Sequence, residues 1–204
     1  MENTTKLRIL EEALVMFANN GYKGTNLRDL AAQIGVSKSA LYKHFESKEA
    51  IWNALFDQME EYYTQRFGSA EHMPPMPTSL EELLSLTVHL ADFTIHDQQV
   101  ILTRRILLTE QFRNDRARKQ ATAHFLTGTQ KIFTDIFTAM MENHLLKKDD
   151  PAMLAFAYTT PITALIHLCD REPDRAPEVI AQIESFVRHF IATYREEEIS
   201  CDKK

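Results

Sequence analysis

Six polar side chains occupy a stretch of eight residues in the first quarter of the chain, and their chemistry suits nucleic acid. They are Ser37, Lys38, Ser39, Tyr42, Lys43 and His44. Lysine ammonium groups pair with phosphates or guanine edges, and hydroxyl groups form hydrogen bonds with either phosphates or bases. Because none of these side chains fits an apolar core, the stretch predicts a DNA-binding surface. The alternative interpretation is an ordinary solvated helix face.

Two short helices joined by a tight turn would present this surface. The first helix is indicated by apolar residues that recur on one helical face. They are Leu27, Leu30, Ala31 and Ile34. Thr25 or Asn26 can cap its start, because either side-chain oxygen can accept a hydrogen bond from an unpaired backbone N–H. Gly35 can end it, since glycine adopts the left-handed conformation in which many helices finish.

The second helix begins after Ser37, whose hydroxyl can cap it, and it turns three apolar side chains inward. They are Ala40, Leu41 and Phe45. Residues 26–45 therefore form a predicted helix-turn-helix, a motif whose second helix lies in the DNA major groove. Ser47 can cap a further helix. Lys48 lies in the first turn of that helix, where a cation is unfavourable unless an anion such as a DNA phosphate is near.

The segment from Ile9 to Phe56 resembles the N-terminal domain of TetR/AcrR-type transcriptional regulators. The resemblance rests on the GYKGT end of the first helix, the LRDLAAQIGVSKSALYKHF core and the KEAIWNAL opening of the next helix. It covers about the first quarter of the chain and is highly specific at this length. It implies an all-helical homodimer with a divergent C-terminal ligand domain, so it does not identify a ligand.

The resemblance also implies roles for individual side chains in the first domain. The positions that match phosphate contacts in the family are Thr25, Ser37, Tyr42, His44 and Lys48. The positions that match residues reading or approaching bases are Arg28, Lys38, Ser39 and Lys43. The partner that follows is a double-stranded DNA operator.

Composition agrees with this interpretation. The 204 residues can bury a substantial core, and 5 Gly and 7 Pro among many Leu, Ala, Glu, Lys and Met favour helices. The net charge is −6, but residues 1–56 carry seven Lys/Arg against six Asp/Glu. The acidic charge therefore lies away from the predicted DNA surface, and an acidic body would discourage non-specific adhesion.

The remainder of the chain predicts a larger helical domain. Helices are expected at roughly 80–96, 98–112, 115–147, 151–170 and 176–197, and the proline-rich segment 68–79 is expected to be a loop. We therefore expect an all-α fold of about nine helices. Residues 3–63 would form the N-terminal three-helix DNA-binding domain, and residues 64–198 a C-terminal helical domain for effector binding and dimerisation. The helix that opens after Ser47 would run towards that second domain.

One uncharged segment, residues 151–169, is nearly long enough to cross a membrane. It contains Pro161, His167 and several threonines and lacks flanking anchors, so a helix buried by its own domain and by a partner explains it better. The two cysteines have no disulfide or metal spacing, and the N-terminus lacks the apolar core of a signal peptide. We therefore expect a cytoplasmic protein with no membrane partner.

Two C-terminal helices with wide apolar faces predict a four-helix bundle across a two-fold axis. The candidate interface residues are Ile162, Leu165, Ile183, Phe186 and Phe190. The alternative is that both faces serve only the core of one chain, and periodicity cannot separate the two interpretations. Helix-turn-helix proteins usually bind two half-sites as dimers, which favours the interface.

An effector pocket is harder to place from the sequence. Aromatic residues of the middle helices, with one histidine, could line an adaptable apolar cavity, although such residues more often form core. The candidates are Phe93, Phe112, His124, Phe125, Phe133, Phe137 and Tyr158. Possible polar contacts, Glu110 and Arg104 among them, are not selected by any spacing. The eight histidines form no metal-binding pattern, so neither a metal nor a cofactor is expected.

These patterns favour a sequence-specific transcriptional regulator, a repressor that binds a palindromic operator as a homodimer and is released by an unknown small molecule. The alternative is a ligand-independent DNA-binding protein whose C-terminal domain only dimerises or docks a protein partner. An enzyme is disfavoured, because the chain has no P-loop, GxSxG, dinucleotide-binding glycine pattern or zinc motif.

Overall fold

The computed structural model describes residues 2–67 and 76–196, with the side chains of 4–66 and 76–196. The α-helices are α1 (Glu2–Gly24), α2 (Leu27–Gln33), α3 (Lys38–His44), α4 (Lys48–Phe67), α5 (Leu80–His96), α6 (Gln98–Glu110), α7 (Asp115–Thr122), α8 (Gly128–Glu142), α9 (Pro151–Cys169) and α10 (Ala176–Tyr194). A π-helical segment, Ala123–Thr127, joins α7 to α8, so these form one continuous helix. The described residues thus contain nine helices and no strand, and the all-α prediction is confirmed.

The chain divides into two compact units. Unit 1 comprises the described parts of Met1–Ser69 together with Gln98–Ala121, and unit 2 comprises those of Ala70–Asp97 and Thr122–Lys204. Residues 98–121, which the sequence predicts to belong to the C-terminal domain, lie in the unit that contains the helix-turn-helix. The reason is that α6 packs along α1, and the apolar face of α6 could not reveal its partner from the sequence.

Unit 1 has a core in which α1 and α4 meet. Phe17 is fully buried, and its ring makes an edge contact with Trp52 at a centroid distance of 4.9 Å. The helix α7 also packs on α4, because Arg116 donates to the backbone carbonyl of Asn53 at 3.1 Å. The long helix α4 therefore contacts both α1 and α7 within unit 1.

Unit 2 is built on an aromatic cluster contributed by α8, α9 and α10. Tyr158 is fully buried, and its ring lies 5.0 Å from that of Phe133 and 4.7 Å from that of Phe190. The Tyr158 hydroxyl lies 2.7 Å from that of Thr87 on α5, whose own proton is donated to the Leu83 carbonyl. Tyr158 is therefore the donor to Thr87, and this buried pair is satisfied.

The helix predicted over 115–147 differs from the structure at both its middle and its end. The π segment carries a wider turn, and α8 ends at Glu142. A Cβ at Gly128 would lie 2.6 Å from the Ala123 carbonyl oxygen, so only glycine fits beside the π turn. The start of α9 is as predicted, because Asp150 caps it by accepting from the Ala152 and Met153 N–H groups. Of the predicted loop at 68–79, residues 68–75 lie outside the described residues.

Candidate nucleic-acid interface

Each of the two helices in the predicted motif starts at a residue whose side chain caps it. Asn26 accepts a hydrogen bond from the Arg28 N–H at 2.7 Å and caps α2. Ser37 accepts from the Ala40 N–H at 3.1 Å and caps α3. Of the two residues that the sequence offered as the cap of α2, the structure uses Asn26. The helix boundaries, and hence the side chains that face outward, follow from these two bonds.

The turn between α2 and α3 depends on Gly35. Its φ is +74°, in the left-handed region, and a Cβ there would meet no atom within 4 Å. Glycine is thus required by the backbone conformation and not by a lack of space. The Gly35 N–H donates to the Ala32 carbonyl and the Val36 N–H to the Ala31 carbonyl, which satisfies the end of α2.

The helix α3 has one buried face and one exposed face. Leu41 is fully buried, and Phe45, which follows the helix, is 5% exposed. The exposed residues are Ser37, Lys38, Ser39, Tyr42 and Lys43, with Arg28 exposed on α2 and His44 partly buried. The Lys38 ammonium lies 5.6 Å from the centre of the Tyr42 ring. We call the exposed residues of α3 together with Ser37 the recognition surface, and they can reach bases or phosphates of a duplex.

Thr25 is not part of this exposed surface. It is 2% exposed, and its hydroxyl lies 2.9 Å from the Gly21 carbonyl oxygen and 3.1 Å from that of Met16. The side chain therefore closes the end of α1. A phosphate contact by its hydroxyl, which the resemblance implies, would require these internal bonds to be given up. The sequence could not indicate this, because capping and phosphate binding use the same oxygen.

Lys48 lies in the first turn of α4 and is only partly exposed. Its ammonium is 4.4 Å from the centre of the Tyr22 ring. Burial lowers the pKa of Lys48 below its usual value, and the negative charge of Glu110 opposes that change. Ser47 accepts from the Ala50 N–H at 3.0 Å and leaves other N–H groups of the first turn without an intrahelical acceptor. A phosphate near this helix start would meet both a cation and the helix dipole.

Two cationic residues of α1 also contact the helix-turn-helix. They were not among the residues predicted from the sequence. Arg8 donates to the Ile34 carbonyl at 3.1 Å, at the end of α2. The Lys6 ammonium lies 5.4 Å from the centre of the Phe45 ring, at the end of α3. Each pair is separated by more than 25 residues, so local spacing gave no signal for these contacts.

The structure separates the residues predicted to line an effector pocket. Phe133, Phe137 and Tyr158 pack against one another in the aromatic cluster, with ring centroids between 5.0 and 5.8 Å apart. Phe125 contacts the edge of the His167 ring at 5.2 Å. Phe93 and His124 are partly buried elsewhere in unit 2, whereas Phe112 belongs to unit 1 and is 86% exposed. Phe133, Phe137 and Tyr158 are therefore core residues that pack against one another.

An open depression of about 350 Å³ lies at another place in unit 2. It is lined by Thr138, Met141, Glu142, His144, Lys148 and Pro151. None of the predicted pocket residues lines it. Among the residues that the structure describes, no group of three or more His, Cys, Asp or Glu could hold a metal ion.

The predicted interface residues lie largely inside the chain. Ile183 is fully buried, and Ile162 and Phe190 are 8% and 5% exposed. Leu165 and Phe186 are partly buried and pack against the same core. The exposed side of α9 instead carries Met153, at 62% exposure, and Phe156, at 50%. Periodicity located the apolar helices correctly but could not tell which face a single chain covers.

The helix α9 is long and apolar enough to cross a membrane by length and composition, with a mean hydropathy of 1.5 over its most apolar window. Only 33% of that window is buried within the chain. Its exposed side also carries Ala152, Ala157, Thr160 and Ala164, so no charge interrupts it. We call Met153, Phe156 and these four residues the exposed α9 face.

Comparison with known proteins gives a match in the part of the chain that carries the motif. The family model for bacterial regulatory proteins of the tetR family matches residues 9–55. The biofilm operon icaADBC HTH-type negative transcriptional regulator IcaR of Staphylococcus aureus is 40% identical over 47 residues, 23% of this chain and 25% of the relative. The HTH-type transcriptional regulator YerO of Bacillus subtilis is 41% identical over 49 residues, 24% of this chain and 17% of the relative.

Solved structures match over nearly the whole chain at low sequence identity. A TetR transcriptional regulator from Chloroflexus aurantiacus has a TM-score of 0.72 and 19% identity, and the match covers 96% of this chain and 98% of that one. SmeT, the repressor of the Stenotrophomonas maltophilia multidrug efflux pump SmeDEF, has a TM-score of 0.65 and 15% identity, with 98% and 94% coverage. A SmeT–triclosan complex gives a TM-score of 0.69 at 18% identity, covering 95% and 93%. These likenesses establish the fold.

Proposed function

We propose that this chain is a DNA-binding transcriptional regulator of the TetR type and not an enzyme, because its N-terminal segment, residues 9–55, matches the family model for bacterial regulatory proteins of the tetR family. The single observation that carries the proposal is the recognition surface, in which five polar side chains stand exposed beside a turn held by Gly35. The matching Staphylococcus protein is described as a negative regulator. We accordingly propose repression as the mode of control.

The direct test is binding of the purified protein to the DNA that flanks its own gene. We expect a retarded complex that survives an excess of unrelated duplex DNA, because base contacts add to phosphate contacts. The double variant Lys38→Ala/Lys43→Ala should lose this resistance to competitor. Complete displacement of the wild-type protein by unrelated DNA would contradict sequence-specific regulation.

The regulator is proposed to act as a homodimer on a palindromic operator. The exposed α9 face supports a second copy of the chain as the partner, since a contiguous apolar helix face in water calls for cover. The proposed interface therefore differs from the one predicted from the sequence, because Ile162, Ile183 and Phe190 are already buried within the chain. A two-fold axis through α9 would bring the same face of both copies together. We propose a cytoplasmic location, because a second copy of the chain and not lipid would then cover α9.

Release by a small molecule is the finer part of the proposal. The structural neighbour SmeT is described in complex with triclosan, which supports an effector that binds within the helical body. The packing of Phe133, Phe137 and Tyr158 supports the second candidate, a ligand-independent regulator, because an effector at that position must displace core side chains. Triclosan is a usable probe. An effector role predicts a higher unfolding midpoint and lower operator affinity with triclosan or with another apolar phenol.

A further inference from the structure

A buried carboxylate at the end of α6 lies against the break that precedes the helix-turn-helix. Glu110 is the last residue of α6 and is 5% exposed. Its Oε1 atom accepts a hydrogen bond from the Tyr22 N–H at 2.9 Å. The two residues are 88 positions apart in the sequence but belong to the same compact unit. A buried carboxylate is costly unless it is paired, so this bond has a defined structural role.

The break itself is set by Gly21. Its φ is 69° and its ψ is 171°, values that interrupt the helical conformation of α1. A Cβ at Gly21 would lie 2.9 Å from the same Glu110 oxygen. The Glu110 carboxylate thus lies against the interrupted backbone and accepts the hydrogen bond of the residue that follows the break, Tyr22. After the break, the Thr25 hydroxyl closes the end of α1 and the Asn26 side chain caps the start of α2.

The side chain of Tyr22 extends this contact to the start of α4. Its ring lies 5.0 Å from the Trp52 ring and carries the Lys48 ammonium above it at 4.4 Å. Burial lowers the pKa of that ammonium, and the negative charge of Glu110 acts in the opposite direction and raises it. Three elements therefore meet in one chain of contacts: the end of α6, the break in α1 and the first turn of α4.

We propose that Glu110 is a positioning residue for operator binding, which holds the Tyr22 backbone so that the Tyr22 ring keeps the Lys48 ammonium in place for a DNA phosphate. Glu110 acts through Tyr22 and Lys48 and does not touch DNA itself. The inference rests on the proposed function, because it presumes that Lys48 contacts DNA. The helix α6 would then contribute to DNA binding, although the sequence predicts that it belongs to the other domain.

A double-mutant cycle on operator affinity tests this proposal. The probe is a labelled duplex that the wild-type protein selects from a random-sequence library, titrated at several salt concentrations. Glu110→Ala should weaken binding about tenfold, as expected for loss of a charged hydrogen bond. It should also lower the salt slope by about one, the same change that is expected for Lys48→Ala. The double variant should bind within about twofold of either single variant, since both remove the same phosphate contact.

Two further variants separate positioning from a general loss of structure. Glu110→Gln retains an oxygen that can accept from the Tyr22 N–H but not the charge, so it should bind more tightly than Glu110→Ala and recover most of the salt slope. Tyr22→Leu removes the ring but keeps the backbone donor, so its effect should also be non-additive with Lys48→Ala. This second cycle decides the matter if Glu110→Ala does not fold. Glu11→Ala, which removes an exposed carboxylate from α1, is the matched control and should leave binding unchanged.

The outcomes distinguish this proposal from the function on which it rests. Selection of no duplex by the wild-type protein would contradict the proposed function and the positioning role together. Selection of a duplex with additive effects in both cycles, or with Glu110→Gln as weak as Glu110→Ala, would overturn the positioning role alone.

Discussion

At the scale of single residues, we propose that the recognition surface and the start of α4 make two different kinds of DNA contact, which mutation can separate. Lys38, Ser39 and Lys43 stand exposed on α3, within the helix that a helix-turn-helix inserts into the major groove. Lys48 lies at the start of α4, where the helix dipole favours a phosphate. Base contacts change which sequence is preferred, whereas phosphate contacts change affinity for every sequence.

We expect alanine variants of Lys38, Ser39, Lys43 and Arg28 to change the preferred base at individual operator positions. The cost of one lost base contact is about 1–3 kcal/mol. Binding-site selection with each variant measures it. Retention of the parental consensus at every position by all four variants would remove them from the base-reading set.

By contrast, Lys48→Ala and Tyr42→Phe should weaken binding to specific and unrelated duplexes by the same factor. For Lys48→Ala the slope of log affinity against log salt should fall by about one, because one phosphate contact is lost. Titration of one selected and one unrelated duplex at several salt concentrations decides this. An unchanged slope would exclude Lys48 from the phosphate contacts.

Tyr158 gives a prediction for stability against pH. Burial raises the pKa of Tyr158 above its ordinary value of 10.0. Because the unfolded tyrosine ionises first, its contribution to stability is full below about pH 10 and falls as pH rises further. Tyr158→Phe should be less stable by about 1 kcal/mol near neutral pH, with a smaller difference above pH 10. A constant difference in urea unfolding at all pH values would contradict this.

At the scale of helices, α9 carries an apolar face that remains exposed among the residues that the structure describes. Phe156→Glu, with Met153→Glu as a second variant, would place a charge at the proposed interface. We expect each to convert dimers to monomers and to lower operator affinity by at least about tenfold, since half-site binding loses its partner. Sedimentation at several concentrations measures the association.

The matched control is Phe112→Glu, which changes an equally large and even more exposed aromatic residue of unit 1. It should leave the dimer intact. If the Phe156 and Met153 variants remain dimeric with normal operator affinity, the interface lies elsewhere. If instead the wild-type chain partitions into lipid vesicles, the exposed α9 face meets a membrane.

The π segment gives a second prediction at this scale. In an ordinary helix, Gly→Ala is stabilising by about 0.5–1 kcal/mol. At Gly128 the added Cβ would lie 2.6 Å from the Ala123 carbonyl oxygen, so we expect Gly128→Ala to lower the unfolding midpoint. Gly24→Ala is the control, because a Cβ added there would lie 3.4 Å from its nearest neighbour, the Cβ of Asn20. A higher midpoint for Gly128→Ala would mean that the segment adopts an α-helical register at no cost.

Helices whose signals are local were predictable from the sequence, and contacts between distant segments were not. The Ser37 cap, the left-handed Gly35 and the Asp150–Pro151 start of α9 each depend on a few neighbouring residues. The π turn at Ala123–Thr127 has no periodic signature, and the contact of Glu110 with Tyr22 spans 88 positions. Aromatic spacing likewise could not distinguish a packed cluster around Tyr158 from the lining of a cavity.

At the scale of the whole molecule, we propose that a dimer reads a palindromic DNA sequence through two copies of the recognition surface. Selection from a random-sequence duplex library tests it most directly, with wild-type protein and Lys43→Ala in parallel. We expect the wild-type protein to enrich a palindrome whose half-sites lie about 10–10.5 base pairs apart, or slightly more. The Lys43→Ala protein should enrich the same spacing with an altered base in each half-site. Enrichment of no motif, or of one identical motif by both proteins without two-fold symmetry, would contradict the claim.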